Sequence, residues 1–322
     1  PAPAAILRYY MEVPFEHHPV QLDAGAAEKR VLDVDIEKTM ELWRPLLARE
    51  EETLAREVDF LRSVKPAVVF FDIPPLAALA AHHAGVPSVA MSNFSWDFIY
   101  CEYIGRVPEF RPLVERIRAQ YAHATLALQL PLGAEMTAFP RRRRIPLVAR
   151  KSKAAPQEIR RELGIRPEET AVLLALRSDA IAMLDALPSS PRYRFIYFGD
   201  IGRPIANGLQ LDGGWQRRFH DVLAASDVVF SKPGYGVVSE CIANRRPLLH
   251  LRRRDFAEKD VLIQGMDPHL VHRQLVPEEL SPALIEEAIE EVLHSRKETR
   301  VMPVNGADVA AEELLRVAVE AE

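Results

Sequence analysis

The stretch Asp227-Val228-Val229-Phe230-Ser231-Lys232-Pro233-Gly234-Tyr235-Gly236-Val237-Val238-Ser239-Glu240 joins a strand to a helix through a glycine-bearing turn. Asp227 to Phe230 is apolar and β-branched, the composition of a parallel strand covered on both faces. Gly234 and Gly236 let the backbone turn sharply and come close to a ligand. The helix that follows starts with N–H groups lacking intrahelical acceptors and with the positive end of its dipole, which suits a diphosphate. Glu240, about one turn further on, has a carboxylate able to accept two hydrogen bonds from a vicinal diol such as a ribose. Phosphate seat plus diol acceptor is what a nucleotide sugar requires. The competing reading is an ordinary strand-to-helix turn, since glycine loops of this kind recur without a ligand.

Working outward from this turn, strands and helices alternate. Upstream, Ala171 to Leu176 reads as a buried strand followed by Arg177-Ser178-Asp179, and Tyr193 to Phe198 as a strand ending at Gly199-Asp200, whose backbone would meet a nucleobase. Trp215 to Ala224 is an amphipathic helix. Downstream, Pro247 to Leu251 is a strand and Arg252 to Lys259 a basic loop. Ser281 to His294 and Asp308 to Ala321 carry helical apolar stripes. In the first half, Tyr9 to Val13 reads as a strand, His17-His18 as a solvated loop, and Ile36 to Ser63 as a helix kinked or split at Pro45. Ala67 to Phe71 and Val86 to Met91 are strands flanking a helix that opens on Pro74-Pro75, a right-handed parallel crossover. Asp72 and Ser92-Asn93-Phe94-Ser95-Trp96-Asp97 fall at the carboxyl ends of those strands, where open α/β sheets collect ligands. Arg141 to Arg144 reads as a solvated turn, and the polar, basic stretch Arg150 to Gln157 as a linker.

The chain has 322 residues, enough for two α/β domains with separate cores, placed here at 1–150 and 151–322. Hydrophobic residues make up 48% and charged residues 27%, a globular balance. A net charge of −5 argues against nucleic acid as a partner. No apolar run reaches the roughly 18 residues of a membrane span, and Pro1-Ala2-Pro3-Ala4 does not look like a signal peptide. The absence of an initiator Met fits a segment upstream of Pro1. Cys101 and Cys241 are too few for a disulfide framework or a thiolate zinc site, so a reducing cytoplasm is expected.

Ser231 to Glu240 resembles the donor-binding loop of GT-B glycosyltransferases of the MurG-like clan. Ser92 to Tyr100, with Leu22-Asp23-Ala24-Gly25 through Asp35 and Asp255-Phe256-Ala257-Glu258, is similar to the glycosyltransferase-like N-terminal region of plant L-arabinokinases. The Gly/Ser-rich phosphate loop of the associated kinase domain is absent from this chain, so the resemblance implies the glycosyltransferase-like part rather than sugar kinase activity. It further implies two Rossmann-like domains facing across a cleft, with the last helix packing back on the first domain. Glu240 would hold the donor ribose; Ser231, Lys232, Pro233, Gly234, Tyr235, Gly236 and Val237 would face its phosphates. Gly199, Phe256 and Glu258 would contact the rest of a UDP-linked donor. Two departures stand out: Arg177 replaces a glycine-rich turn, and a His-Gly-x-Gly-His turn near the N-terminus is missing.

The expected reaction is metal-independent sugar transfer to an acceptor hydroxyl, with no cofactor beyond the donor. Backbone N–H groups around Gly234 to Val237, with help from Arg177 or Arg252, would stabilise the leaving diphosphate. Asp72 or Asp97, or a histidine, would deprotonate the acceptor, with Asn93, Ser95 and Trp96 on the acceptor side. Trp96 fits either a sugar-stacking face or a core aromatic. The alternatives are a non-catalytic nucleotide-sugar-binding protein on the same fold, or a sugar-nucleotide epimerase.

Overall fold

The computed structural model describes residues 4–320, except 31, 183 and 185. In chain order the elements are α1 (Ala4–Tyr10), the antiparallel pair β1 (Glu28–Arg30) and β2 (Asp33–Val34), α2 (Ile36–Ala48), α3 (Glu50–Val64), β3 (Val69–Phe71), α4 (Pro75–Ala84), β4 (Ser88–Ser92), α5 (Trp96–Cys101), α6 (Phe110–Tyr121), β5 (Leu126–Gln129) and β6 (Arg142–Arg144). There follow α7 (Pro156–Glu162), β7 (Thr170–Ala175), α8 (Ser178–Ala182), β8 (Tyr193–Phe198), β9 (Gly208–Leu211), α9 (Gly213–Gln216), α10 (Phe219–Ala225), β10 (Val228–Ser231), α11 (Tyr235–Asn244), β11 (Leu248–Leu251), α12 (Glu258–Met266), β12 (His272–Leu275), α13 (Pro282–Leu293) and α14 (Gly306–Glu320).

Local chemistry accounts for the element ends. Asp35 caps α2, its carboxylate accepting from the Lys38 N–H at 2.9 Å. Pro45 lies inside α2, and the break falls four residues later at Arg49; Glu50, Glu51 and Glu52 then favour the positive end of α3. Gly85 ends α4 at φ 75, its N–H reaching back to the Ala81 and His82 carbonyls.

Two parallel sheets result. The first has the order β3-β4-β5-β6, and the second β12-β11-β10-β7-β8-β9. Taken from β9 to β12, the second is the doubly wound order 3-2-1-4-5-6, whose direction reverses between β7 and β10. There Ser231 is in register with Ala175, and its hydroxyl donates to the Ala175 carbonyl at 2.6 Å. Alternate residues of the central strands point to opposite faces. Val172 and Leu174 pack with Ile285 and Ile289 of α13, while Leu173 and Val229 pack with Val238, Cys241 and Leu262. Each such fully buried aliphatic side chain contributes roughly 1.5–3 kcal/mol relative to exposure.

The two sheets share more than a connector. On α14, Ala310 and Val317 pack on Val89, Leu126, Leu128 and Ile145 of the first sheet's lobe. In the opposite sense, Phe256 and Ala257, from the loop after β11, are part of the first lobe's core with Phe71 and Tyr100.

Three local expectations change. Tyr9 and Tyr10 end a helix rather than begin a strand. The expected turn at Arg141 to Arg144 is the edge strand β6; its backbone pairs with β5 while its exposed arginines bond to the Phe139 carbonyl, Glu313 and Glu135. Trp215 to Ala224 divides into α9 and α10 at Arg217, whose N–H also reaches the Tyr9 hydroxyl at 3.0 Å. Among the described residues no helix is long and apolar enough to cross a membrane.

Candidate functional site

At the reversal point of the second sheet lies a cavity of about 540 Å³. The carboxyl ends of β7 and β10 supply Leu174 to Arg177 and Ser231-Lys232, and the start of α11 supplies Gly234 to Val237. Gly234 is the N-cap at φ −130 and ψ 147, and no side chain caps the helix. Its backbone is ordinary extended chain, so a left-handed turn is not why glycine stands there. A Cβ on Gly234 or Gly236 would meet nothing within 4 Å. What both glycines provide is clear space before a helix terminus whose first N–H groups lack partners. Lys232 and Arg177 add two cations to the same wall.

Of the residues named from sequence, the cavity brings together Arg177, Ser231, Lys232, Gly234, Tyr235, Gly236 and Val237. Pro233 links two of these without lining the space. Gly199 lies just behind Phe198, which does line it. At φ 76, with Ser178 Oγ 2.6 Å from where a Cβ would be, Gly199 is required by the backbone, and its carbonyl accepts from Gln210 Nε2 at 3.0 Å.

Glu240 is set back from the cavity wall. Its Oε1 accepts from Arg150 Nε at 2.6 Å, which leaves the second oxygen for another donor. Burial raises its pKa, and the Arg150 hydrogen bond partly offsets this. Asn244 Nδ2 fastens the same corner by donating to the Arg150 and Glu240 carbonyls at 3.0 and 2.9 Å.

Several sequence assignments need correction. Phe256 is 4% exposed, sits edge-on to Phe94 with ring centres 5.7 Å apart, and is covered by the Arg253 guanidinium at 3.8 Å. It is a core aromatic of the first lobe, out of reach of a donor. Asp97 is not placed to take a proton from an acceptor: its side chain is 3% exposed, and its oxygens accept from Ser95 Oγ at 2.6 Å and Arg118 Nε at 3.0 Å. Ser95 is spent in that bond. Asn93 Nδ2 donates to Glu258 Oε1 at 2.8 Å, and both residues are buried, so their amide and carboxylate tie the lobes together. Trp96 stacks on Tyr100, with ring centres 5.2 Å apart and planes 14° apart, and donates to Asp23 Oδ2 at 2.9 Å. Half-buried, Trp96 packs against the first lobe's core.

Asp72 has a different setting. It follows β3, is exposed to solvent, and shares its surroundings with Asp23. Desolvation by the surrounding protein raises its pKa, and a hydrogen bond with the Ser92 side chain opposes the rise. Asp23 is also raised, first by burial and further by the Asp72 charge.

Residues missed from sequence complete the cavity: Tyr10, Arg150, Phe198, Gln216 and Phe219. Phe198 and Phe219 lie at an element end and an element start flanking the motif, a position that could have marked them. Tyr10 and Arg150 arrive from distant segments and carried no local signal. Among the described residues no group of three or more His, Cys, Asp or Glu is placed to hold a metal ion.

No protein-family model matches the chain. Over 313 residues it is 30% identical to L-arabinokinase of Arabidopsis thaliana, a match covering 93% of this chain and 29% of that protein. The chain therefore spans less than a third of the length of that relative. Among solved structures, UGT89C1 of Arabidopsis thaliana, complexed with quercetin, superposes with a TM-score of 0.56 at 16% identity, covering 98% of this chain and 83% of that one. The same enzyme with UDP-L-rhamnose gives 0.56 over 96% and 84%. A UDP-glucosyltransferase from Polygonum tinctorium, solved with 3,4-dichloroaniline, gives 0.56 at 13% identity over 100% and 85%. At such identities the likeness is one of fold. In fold, the chain has the two Rossmann-like halves of the GT-B glycosyltransferases it superposes on.

Proposed function

We propose that the chain binds a nucleotide-diphosphate sugar in the cavity at the β7/β10 reversal and transfers the sugar to an acceptor hydroxyl. The observation that carries this reading is the open, uncapped start of α11, with Lys232 and Arg177 beside it in a space of about 540 Å³. The diphosphate would lie against the helix terminus, where N–H groups and the two cations stabilise charge as the glycosidic bond breaks. No step of this scheme calls on a metal. UDP is the favoured nucleotide because the superposing enzymes include one complexed with UDP-L-rhamnose and one named as a UDP-glucosyltransferase. Asp72, with its raised pKa, is the proposed base.

Binding without transfer is the second reading. It is favoured by the commitment of Asp97, Ser95 and Trp96 to internal bonds, which leaves the acceptor side with few free groups. A thermal-shift panel of nucleoside diphosphates and their sugars tests the shared premise, because a ligand that binds only the folded state at 100 times its Kd adds about 2.7 kcal/mol. UDP and at least one UDP-sugar are expected to raise Tm by several degrees. No shift with any member of the panel would refute both readings. Release of UDP on adding hydroxyl acceptors separates transfer from binding.

A further inference from the structure

The two cations of the cavity wall already hold an anion. Glu28, on β1, places Oε1 2.7 Å from Lys232 Nζ and Oε2 3.1 Å from Arg177 Nη1. One carboxylate thus bridges two cations, each oxygen taking one, as two non-bridging oxygens of a phosphate would. Nothing nearby in sequence brings Glu28 here: its partners are 204 and 149 residues away.

We propose that Glu28 is a built-in competitor for the diphosphate, occupying the Lys232–Arg177 seat until a nucleotide displaces it. This rests on the donor-cleft reading above. Three observations support displacement rather than a permanent bond. The pairs are partly solvated, with side-chain exposures of 28% for Glu28 and Lys232 and 63% for Arg177, so the bond is weak enough to exchange. Arg177 keeps a second partner, Asp179 at 2.7 Å, and is not stranded when Glu28 leaves. The backbone carrying Glu28 is anchored independently: Asp35 N–H donates to the Ala27 carbonyl at 2.7 Å, and the Ala27 N–H to Thr39 Oγ1 at 3.0 Å. Rotation of the Glu28 side chain alone therefore vacates the seat. Any ligand of the seat binds with its intrinsic affinity reduced by the fraction of molecules in which Glu28 is away.

The test is calorimetric titration of the full chain with UDP, comparing the native protein with Glu28→Gln and Glu28→Asp. The glutamine keeps the shape and removes the charge; the aspartate keeps the charge and withdraws it by one methylene. Tighter UDP binding is expected in Glu28→Gln, by roughly 3- to 10-fold given the modest worth of exposed ion pairs, with a smaller gain in Glu28→Asp. Should the glutamine variant fail to fold by circular dichroism, the aspartate variant decides. Native protein that binds UDP while the folded variants bind it equally or more weakly would overturn the competitor role and leave the donor cleft standing. If no folded form binds UDP, the donor-cleft reading falls and this inference falls with it.

Discussion

Asp72 is open to water on one side and crowded by protein and by Asp23 on the other. Its carboxyl is held above the ordinary 3.8, first by desolvation, so the folded chain prefers the protonated form more than the unfolded chain does. The sign follows: its stabilising contribution is full below pH 3.8 and is lost as pH rises through the folded value. At pH 7 the ionised group is a mild liability. Asp72→Asn should therefore melt slightly above the native protein at pH 7, the direction that follows from a carboxyl whose charge the fold disfavours. The gap should close on acidification below about pH 4. Differential scanning calorimetry at both pH values checks this; a variant that melts lower at pH 7 would mean that ionised Asp72 holds structure. At this scale the sequence was informative where the cavity wall is built from one short run, as with Ser231 to Val237. It was silent on Glu28, Tyr10 and Arg150, because their partners come from remote parts of the chain and no periodicity records such meetings.

The elements owe their legibility to composition. The apolar, β-branched runs at 170–175 and 228–231 can bury both faces only inside a parallel sheet, and the structure places them side by side. The edge strand at 142–144 could not be seen, since arginine carries no strand signal and only the backbone of β5 recruits it. Where α14 begins is set by contact rather than propensity. A Cβ on Gly306 would lie 2.1 Å from the Pro146 carbonyl oxygen and 2.9 Å from the Leu147 carbonyl carbon. Backbone of two segments would have to separate, and with it the bond from the Gly306 N–H to the Leu147 carbonyl at 3.1 Å. Gly306→Ala should cost about 1–3 kcal/mol in overpacking despite alanine's better helix propensity. Urea unfolding would show this as a lower midpoint; an unchanged midpoint would mean that α14 shifts freely on its seat.

Seen whole, the molecule has two sheets clamped by a loop. Tyr103 donates to the Asp255 carbonyl at 2.9 Å, Arg106 pairs with the Asp255 carboxylate at 2.8 Å, and Asn93 meets Glu258 at 2.8 Å. Glu258 is 5% exposed, and burial raises its pKa despite the Asn93 bond and the Arg253 charge. Asn93→Ala would strand one oxygen of a buried carboxylate, which costs about 1–3 kcal/mol. A lowered urea midpoint is the expected result, and a difference under about 0.5 kcal/mol would show that water replaces the amide. The two-sheet plan was legible because strand and helix patterns restart after a polar stretch. The clamp was not: Phe256 and Glu258 look like cleft residues in sequence, and only the neighbouring lobe turns them inward. The rim of the first sheet has a consequence of its own. A foreign chain seeking to lengthen that sheet beyond β6 would meet the exposed arginines Arg142, Arg143 and Arg144, already bonded to the Phe139 carbonyl, Glu313 and Glu135, so this margin resists the edge-to-edge growth by which exposed strands seed aggregates.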